Sequence, residues 1–289
     1  MSMLRRVLIV LVVGLVALSA AVAVSVPLDR LLARGRVEAV ANATVPGAAG
    51  PLHVYVARPA EGEGPFPLVV MIHEFWGLDE ATVGKAELLA QDGYVVVAPD
   101  LMRGRSTRWL PSAIWQTIRT PDDRVRSDLD ATIAAFAADP GADAERLAVM
   151  GFCFGGRMSL RYALERPQVR ATGVFYGNVD DDVTALRRLG GPVLGVFGAE
   201  DASIPLAEVA AFERALAAAG VLHEIHVFNG VGHAFVRTAH EIASDPVQAE
   251  AWSLLRAFLR RHLAEDAADR PAGGPAPDAA TASISAPAG

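Results

Sequence analysis

The chain of 289 residues contains one cysteine, Cys153. A single thiol excludes an intramolecular disulfide and any cysteine-based zinc or iron–sulfur centre. Positive charge is also scarce, with 26 Lys and Arg against 33 Asp and Glu and a formal net charge of −7. Phosphate backbones need clustered Lys and Arg, so this balance argues against a nucleic-acid partner. Wholesale disorder is excluded by composition, since 52% of the residues are apolar and 20% charged. Ionisable side chains are missing altogether from residues 7–26. As a helix this stretch would be about 30 Å long, the thickness of a bilayer core. It has no polar stripe to turn toward water. Its unbroken length favours a membrane anchor, while Ala21-Val22-Ala23 resembles the small-x-small site of a cleaved signal peptide. Arg5 and Arg6 precede it and hold the N-terminus on the cytoplasmic side. Both readings place the rest of the chain outside the cytoplasm, periplasmic or extracellular, either membrane-anchored or secreted. The expected organisation is a leader over 1–29, one globular domain over 30–266 and a disordered Ala/Pro/Gly-rich tail over 267–289.

Within the globular part, short apolar runs read as strands at 52–58, 68–73, 94–98, 147–150, 171–176, 193–197 and 223–228. Helical patterns fall at 82–91, 122–138, 154–165, 206–219 and 246–263. This alternation predicts an α/β fold with a mostly parallel central sheet and helices on both faces. Residues 103–120, with Trp109 and Trp115, fit no regular element and are expected to form a lid or binding loop.

The chemistry concentrates at LAVMGFCFGG, residues 147–156. A strand enters Gly151, Cys153 follows, then Gly155, Gly156 and a helix. This is the strand–turn–helix setting of a nucleophile elbow, with cysteine in the usual serine place. Glycines two residues either side let neighbouring chains approach a strained turn. The N-terminus of the following helix is expected to favour a thiolate and to hold a developing oxyanion. An acid should follow a later strand, and Asp201 stands just past 193–197, ahead of its neighbour Glu200 as a candidate. Asp180, Asp181 and Asp182 also follow a strand, but a run of three charges suits a solvated loop. A base should follow the next strand, and His233 stands in the glycine-flanked loop after 223–228, with chain order and loop context that no other histidine offers.

These motifs, with IHEFWGL at 72–78, VAPDL at 97–101, GAEDASIP at 198–205 and GHAFVRT at 232–238, resemble the dienelactone hydrolase family of α/β-hydrolases over roughly residues 52–263. The resemblance implies an α/β-hydrolase fold and a Cys153–His233–Asp201 triad. It implies that Glu74, at the end of the second apolar run, interacts with the resting thiol and helps to deprotonate it when substrate binds. It also implies an oxyanion hole from the backbone N–H of Phe154 and one near Phe75. Family members clamp a substrate carboxylate with two arginines. Arg237 matches one, four residues after His233. The other is expected at Gly104, between Arg103 and Arg105, and Arg105 is favoured.

The expected reaction is hydrolysis of an activated ester or lactone, dienelactone-like and carboxylate-bearing, through a cysteine thioester. His233 is expected to take the thiol proton and later to activate water. A small-molecule ester is the expected partner, with the membrane if the leader is uncleaved. No metal and no organic cofactor is implied; His73 beside Glu74 lacks a second ligand pair. The alternatives are a general exported carboxylesterase, a thiol peptidase, and a catalytically silent membrane-tethered binding module.

Overall fold

The computed structural model describes residues 3–263. Eight strands form one sheet: β1 (Ala43–Val45), β2 (Leu52–Ala57), β3 (Phe66–Ile72), β4 (Val95–Pro99), β5 (Ala142–Phe152), β6 (Ala171–Phe175), β7 (Val193–Gly198) and β8 (His223–Phe228). Their order is β1-β2-β4-β3-β5-β6-β7-β8. The pairs β1–β2 and β2–β4 are antiparallel, and every other neighbouring pair is parallel. The helices are α1 (Met3–Leu32), α2 (Arg36–Val40), α3 (Glu80–Ala90), α4 (Leu110–Ile118), α5 (Asp122–Ala137), α6 (Phe154–Glu165), α7 (Val183–Leu186), α8 (Leu206–Ala219), α9 (Ala239–Ser244) and α10 (Pro246–Leu263).

The central strands are apolar on both faces because both faces are covered. Val69, Met71, Val96 and Met150 pack toward α3 and α10, against Leu89, Trp252, Leu255 and Phe258. Their alternates Leu68, Val70, Val97 and Val149 pack toward α5 and α6, against Leu129, Phe136, Met158 and Tyr162. This period of two is what a pleated strand imposes. Each such side chain contributes about 1.5–3 kcal/mol when fully removed from water. Local signals set the helix ends. Asp79 caps α3 by accepting from the Thr82 N–H at 2.9 Å, and Gly220 ends α8 in the left-handed conformation.

The predicted fold class is present, with an α/β-hydrolase sheet. Several parts of the chain differ from the sequence expectation: the short helices α2, α7 and α9 were not expected, β5 begins at Ala142, and two further differences bear on the site and the sheet edge. The stretch 103–120 is not irregular throughout, since it contains α4. Leu110, Ile114, Trp115 and Ile118 recur at helical spacing, a signal that the expectation of an irregular stretch passed over; what the pattern could not show is that this apolar face points outward. The edge strand β1 was also unforeseen, because three residues are too few to show a period. The predicted tail, 267–289, lies outside the described residues.

At the centre of the sheet the turn after β5 meets β3 at very close range. A Cβ placed on Gly155 would lie 2.2 Å from the Ile72 carbonyl oxygen, and one on Gly151 would lie 2.5 Å from Gly155 backbone atoms. Backbone cannot yield there as a flexible side chain could. Gly155→Ala is therefore expected to destabilise the fold by about 3 kcal/mol, read as a lowered thermal midpoint. An unchanged midpoint would show that the turn relaxes freely.

Candidate active site

The parallel strands aim their C-terminal ends at one edge, where open α/β sheets place their sites. Four of them deliver the predicted residues there. The loop after β3 carries Glu74 and Phe75, the turn after β5 carries Cys153, the loop after β7 carries Asp201, and the loop after β8 carries His233.

Cys153 has φ 53° and ψ −113° and is the N-cap residue of α6. Its N–H donates to the Phe175 carbonyl at 2.9 Å. The backbone N–H groups of Phe154 and Phe75 lie near enough to its sulfur to stabilise the thiolate. Among the described residues, four that are not glycine have φ in the left-handed region: Arg103, Cys153, Tyr176 and Ala234. Cys153 is the candidate nucleophile, Tyr176 touches Glu74, and Ala234 follows His233. Such conformations cost of order 1–3 kcal/mol each and persist where the surroundings over-determine them.

The loops that carry Asp201 and His233 are zipped together. The Ala199 N–H donates to the Phe228 carbonyl at 2.8 Å, and the Glu200 N–H to the Val231 carbonyl at 3.0 Å. Gly198 permits this approach, since a Cβ there would lie 2.5 Å from the Val231 oxygen. Asp201 is thereby buried while Glu200 stays exposed. Asp201 Oδ1 accepts from the N–H groups of Ser203 (2.7 Å) and Ile204 (3.1 Å). Its Oδ2 lies 2.7 Å from His233 Nδ1. That bond orients the imidazole and holds the proton on Nδ1, leaving Nε2 free to accept one. Asp180, Asp181 and Asp182 are exposed, and Asp182 caps α7.

Burial raises the Cys153 thiol to about 11, and the negative charge of Glu74 adds to the effect; the N–H groups of Phe154 and Phe75 oppose it. The helix end was expected to favour a thiolate, but desolvation and a neighbouring carboxylate outweigh it. The resting sulfur is a thiol. Glu74 is itself raised above the ordinary glutamate range by burial, against the pull of Lys85, a hydrogen bond from Tyr176 and the His233 ring. The Tyr176 hydroxyl lies 3.3 Å from Glu74 Oε1 and 3.0 Å from the Val236 carbonyl. Its ring meets the His233 ring edge-on at 5.3 Å.

Lys85 escaped the sequence reading. It is the only lysine of the chain and is 2% exposed. Its Nζ sits 3.7 Å over the Phe152 ring and donates to the Val236 carbonyl at 3.4 Å. Burial lowers its pKa, opposed by the charges of Glu74 and Asp79. A lone lysine within a helix that must pack on a sheet was the available signal. His73 is also buried and committed: its Nδ1 lies 2.6 Å from the Glu74 carbonyl, and its Nε2 accepts the Leu101 N–H.

The expected clamp pairs Arg237 with Arg105 or Arg103, and the three side chains have different surroundings. Arg103 is engaged by Asp128 and by the carbonyls of Gly50 and Pro51, so its guanidinium serves the fold. Arg237 is largely exposed and pairs with Glu241 at 2.7 Å. Arg105 has no ion-pair partner among the described residues. Burial and the nearby charges of Arg30 and Arg124 lower its pKa, opposed by the charge of Asp100. Its backbone runs against the Phe75 loop, where Gly77 has φ 94° and a Cβ would lie 2.2 Å from the Arg105 carbonyl oxygen, so that only glycine fits.

A parallel α/β sheet with a strained cysteine turn at its C-terminal edge defines an α/β-hydrolase. Residues 52–263 match the dienelactone hydrolase family, and the chain belongs to it. A protein of Escherichia coli (strain K12), provisionally named a carboxymethylenebutenolidase, is 34% identical over 206 residues, which is 66% of this chain and 76% of its own length. A protein of Methylorubrum extorquens with the same provisional name is 33% identical over 235 residues, 75% of this chain and 79% of its own. A crystal structure of a provisionally named dienelactone hydrolase from Klebsiella pneumoniae is 32% identical, with a TM-score of 0.68, covering 75% of this chain and 96% of that one. The chain is thus a hydrolase of the dienelactone hydrolase type.

Proposed function

We propose that the chain hydrolyses an activated ester or enol lactone through a thioester at Cys153, and that α1 holds the domain at a membrane. The observation that carries the reaction is the convergence on one sulfur. Two backbone N–H groups lie near it, a buried carboxylate lies beside it, and an imidazole oriented by Asp201 at 2.7 Å stands in the adjoining loop.

Chemistry begins when the sulfur loses its proton. In the resting state the charge on Glu74 helps to keep the thiol protonated. Transfer of that proton to Glu74 removes the opposing charge, and the N–H groups of Phe154 and Phe75 then favour the thiolate. The sulfur attacks the carbonyl carbon, and the new oxyanion is held by the same two N–H groups. The carbon–oxygen bond to the leaving group breaks, the leaving oxygen departs with the electron pair and takes up the proton held by Glu74, and a thioester remains. His233 takes a proton from water, whose oxygen attacks the thioester; collapse expels the Cys153 thiolate, which recovers its proton from the His233 imidazolium. Thiolate leaves a tetrahedral intermediate more readily than an amide nitrogen does, so this order suits activated esters and disfavours a peptidase.

The unpaired, half-buried Arg105 supports a carboxylate on the substrate, because guanidinium binds carboxylate in bidentate fashion. The test compares a carboxylate-bearing dienelactone with a neutral activated ester. Arg105→Met is expected to raise KM for the carboxylate substrate about tenfold, the worth of one charge-assisted hydrogen bond, and to leave the neutral ester unchanged. An equal loss on both would remove the carboxylate reading, and turnover of the neutral ester alone would make the protein a general carboxylesterase.

A further inference from the structure

Of the fourteen large apolar side chains exposed among the described residues, all but Leu206 and Leu222 lie on α1 or within 109–118. The second group is inverted relative to a normal surface helix. Ser112 and Gln116 of α4 are buried, as is Thr120 just beyond it, while Leu110, Ile114, Trp115 and Ile118 point outward. Ile118 is 76% exposed. In water such an arrangement leaves apolar surface wet and polar atoms dry, the reverse of what the hydrophobic effect selects. In contact with lipid it is the correct orientation.

The depth of this face is set by α1. The Trp109 indole N–H donates to Ser25 Oγ at 3.1 Å, and Thr107 Oγ1 donates to Asp29 Oδ2 at 2.6 Å. Ser25 belongs to the last turn of the stretch 7–26, which carries no ionisable group, and Asp29 lies just past it. Trp109 therefore stands level with the boundary between the apolar and polar parts of α1, the depth at which indoles collect in membranes. Arg108 and Arg119 are exposed on either side of α4, and the Arg119 guanidinium lies 4.5 Å over the Trp115 ring. Cations in these places would meet lipid headgroups.

From these observations we infer that α4 is a second membrane contact, an interfacial helix whose outer face, Leu110, Ile114, Trp115 and Ile118 with Trp109, rests on the lipid bilayer beside α1. The inference rests on the reading of α1 as an anchor. It has a consequence for the site. The Gln116 side-chain amide donates to the Phe75 carbonyl at 2.7 Å, so one side chain joins the lipid-facing helix to the loop whose N–H lies near Cys153. The site would then open next to the bilayer surface.

The experiment reconstitutes the full chain into phosphatidylcholine vesicles with and without bromine in the acyl chains. Bromine quenches only indoles within contact range. A Trp109→Phe, Trp115→Phe double variant retains Trp76 and Trp252 and isolates the signal of the pair by difference. The expected result is that the protein floats with the vesicles after an alkaline wash and that the emission of the pair falls severalfold with brominated lipid. Flotation with the pair unquenched would overturn the docking of α4 and leave the anchor standing. An unquenched pair that forms cross-linked dimers would identify a second copy as the occupant, also against the inference. Failure to float would overturn both readings. Should the double variant fold poorly, Ile118→Cys in a Cys153→Ala background offers a second readout. An environment-sensitive dye on that thiol should shift to the blue on vesicles, and an unshifted dye would again count against docking.

Discussion

Cys153→Ala is expected to lower the turnover of an activated ester by about 10⁴-fold or more, the scale seen when an acyl-transfer nucleophile is removed. The fold should survive, because alanine tolerates φ 53° about as well as cysteine and fills less of a packed turn. Residual activity above water should remain, since the N–H groups of Phe154 and Phe75 still stand where an oxyanion forms. The measurement is the progress curve of ester cleavage, with the thermal midpoint as a control on folding. Turnover near the wild-type rate at an unchanged midpoint would remove Cys153 from the reaction. It would also leave the strained turn without a function, in a fold that could do without it.

Replacing Glu74 by Gln should produce two changes of opposite direction. Turnover should fall by about 10²–10⁴-fold, the range contributed by a positioned acid or base. Alkylation of Cys153 by iodoacetamide at neutral pH should become faster. The sign follows from charge. The carboxylate of Glu74 helps to raise the thiol to about 11, and a neutral amide removes that contribution and lowers the thiol pKa. In the wild type, alkylation should climb about tenfold for each pH unit between neutrality and the thiol pKa, because only the thiolate reacts. In the variant the same rise should begin at lower pH. Slower turnover together with slower alkylation would mean that Glu74 only supports the local fold. Faster alkylation with full turnover would mean that another group takes the proton.

The site was legible in one dimension to the extent that its parts are local. Gly151, Cys153, Gly155 and Gly156 lie within six residues, and steric demands on a tight turn leave a direct imprint on neighbouring positions. The order of Asp201 and His233 after successive strands was equally readable, because parallel strands deliver their C-terminal loops to one edge. Arg103 and Arg105 could not be separated in this way. They stand two residues apart, yet one faces Asp128 and the other lies beside the Phe75 loop. Lys85 sits in an ordinary helical pattern, and only the packing of α3 onto the sheet shows that its amino group is dry.

Local sequence thus determined the alternation of strands and helices, the apolar leader, and the place of a cysteine in a tight strand-to-helix turn. Hydrophobic period and turn sterics act over a few residues, so they can be read from the chain directly. Tertiary structure alone decided the protonation state of that cysteine. The helix end that should favour a thiolate is outweighed by burial and by a carboxylate 79 residues earlier in the chain, from Glu74 to Cys153. Desolvation and charge depend on distance in space, and no pattern along the chain encodes them. The outward face of α4 has the same origin, since its side chains acquire a meaning only beside α1.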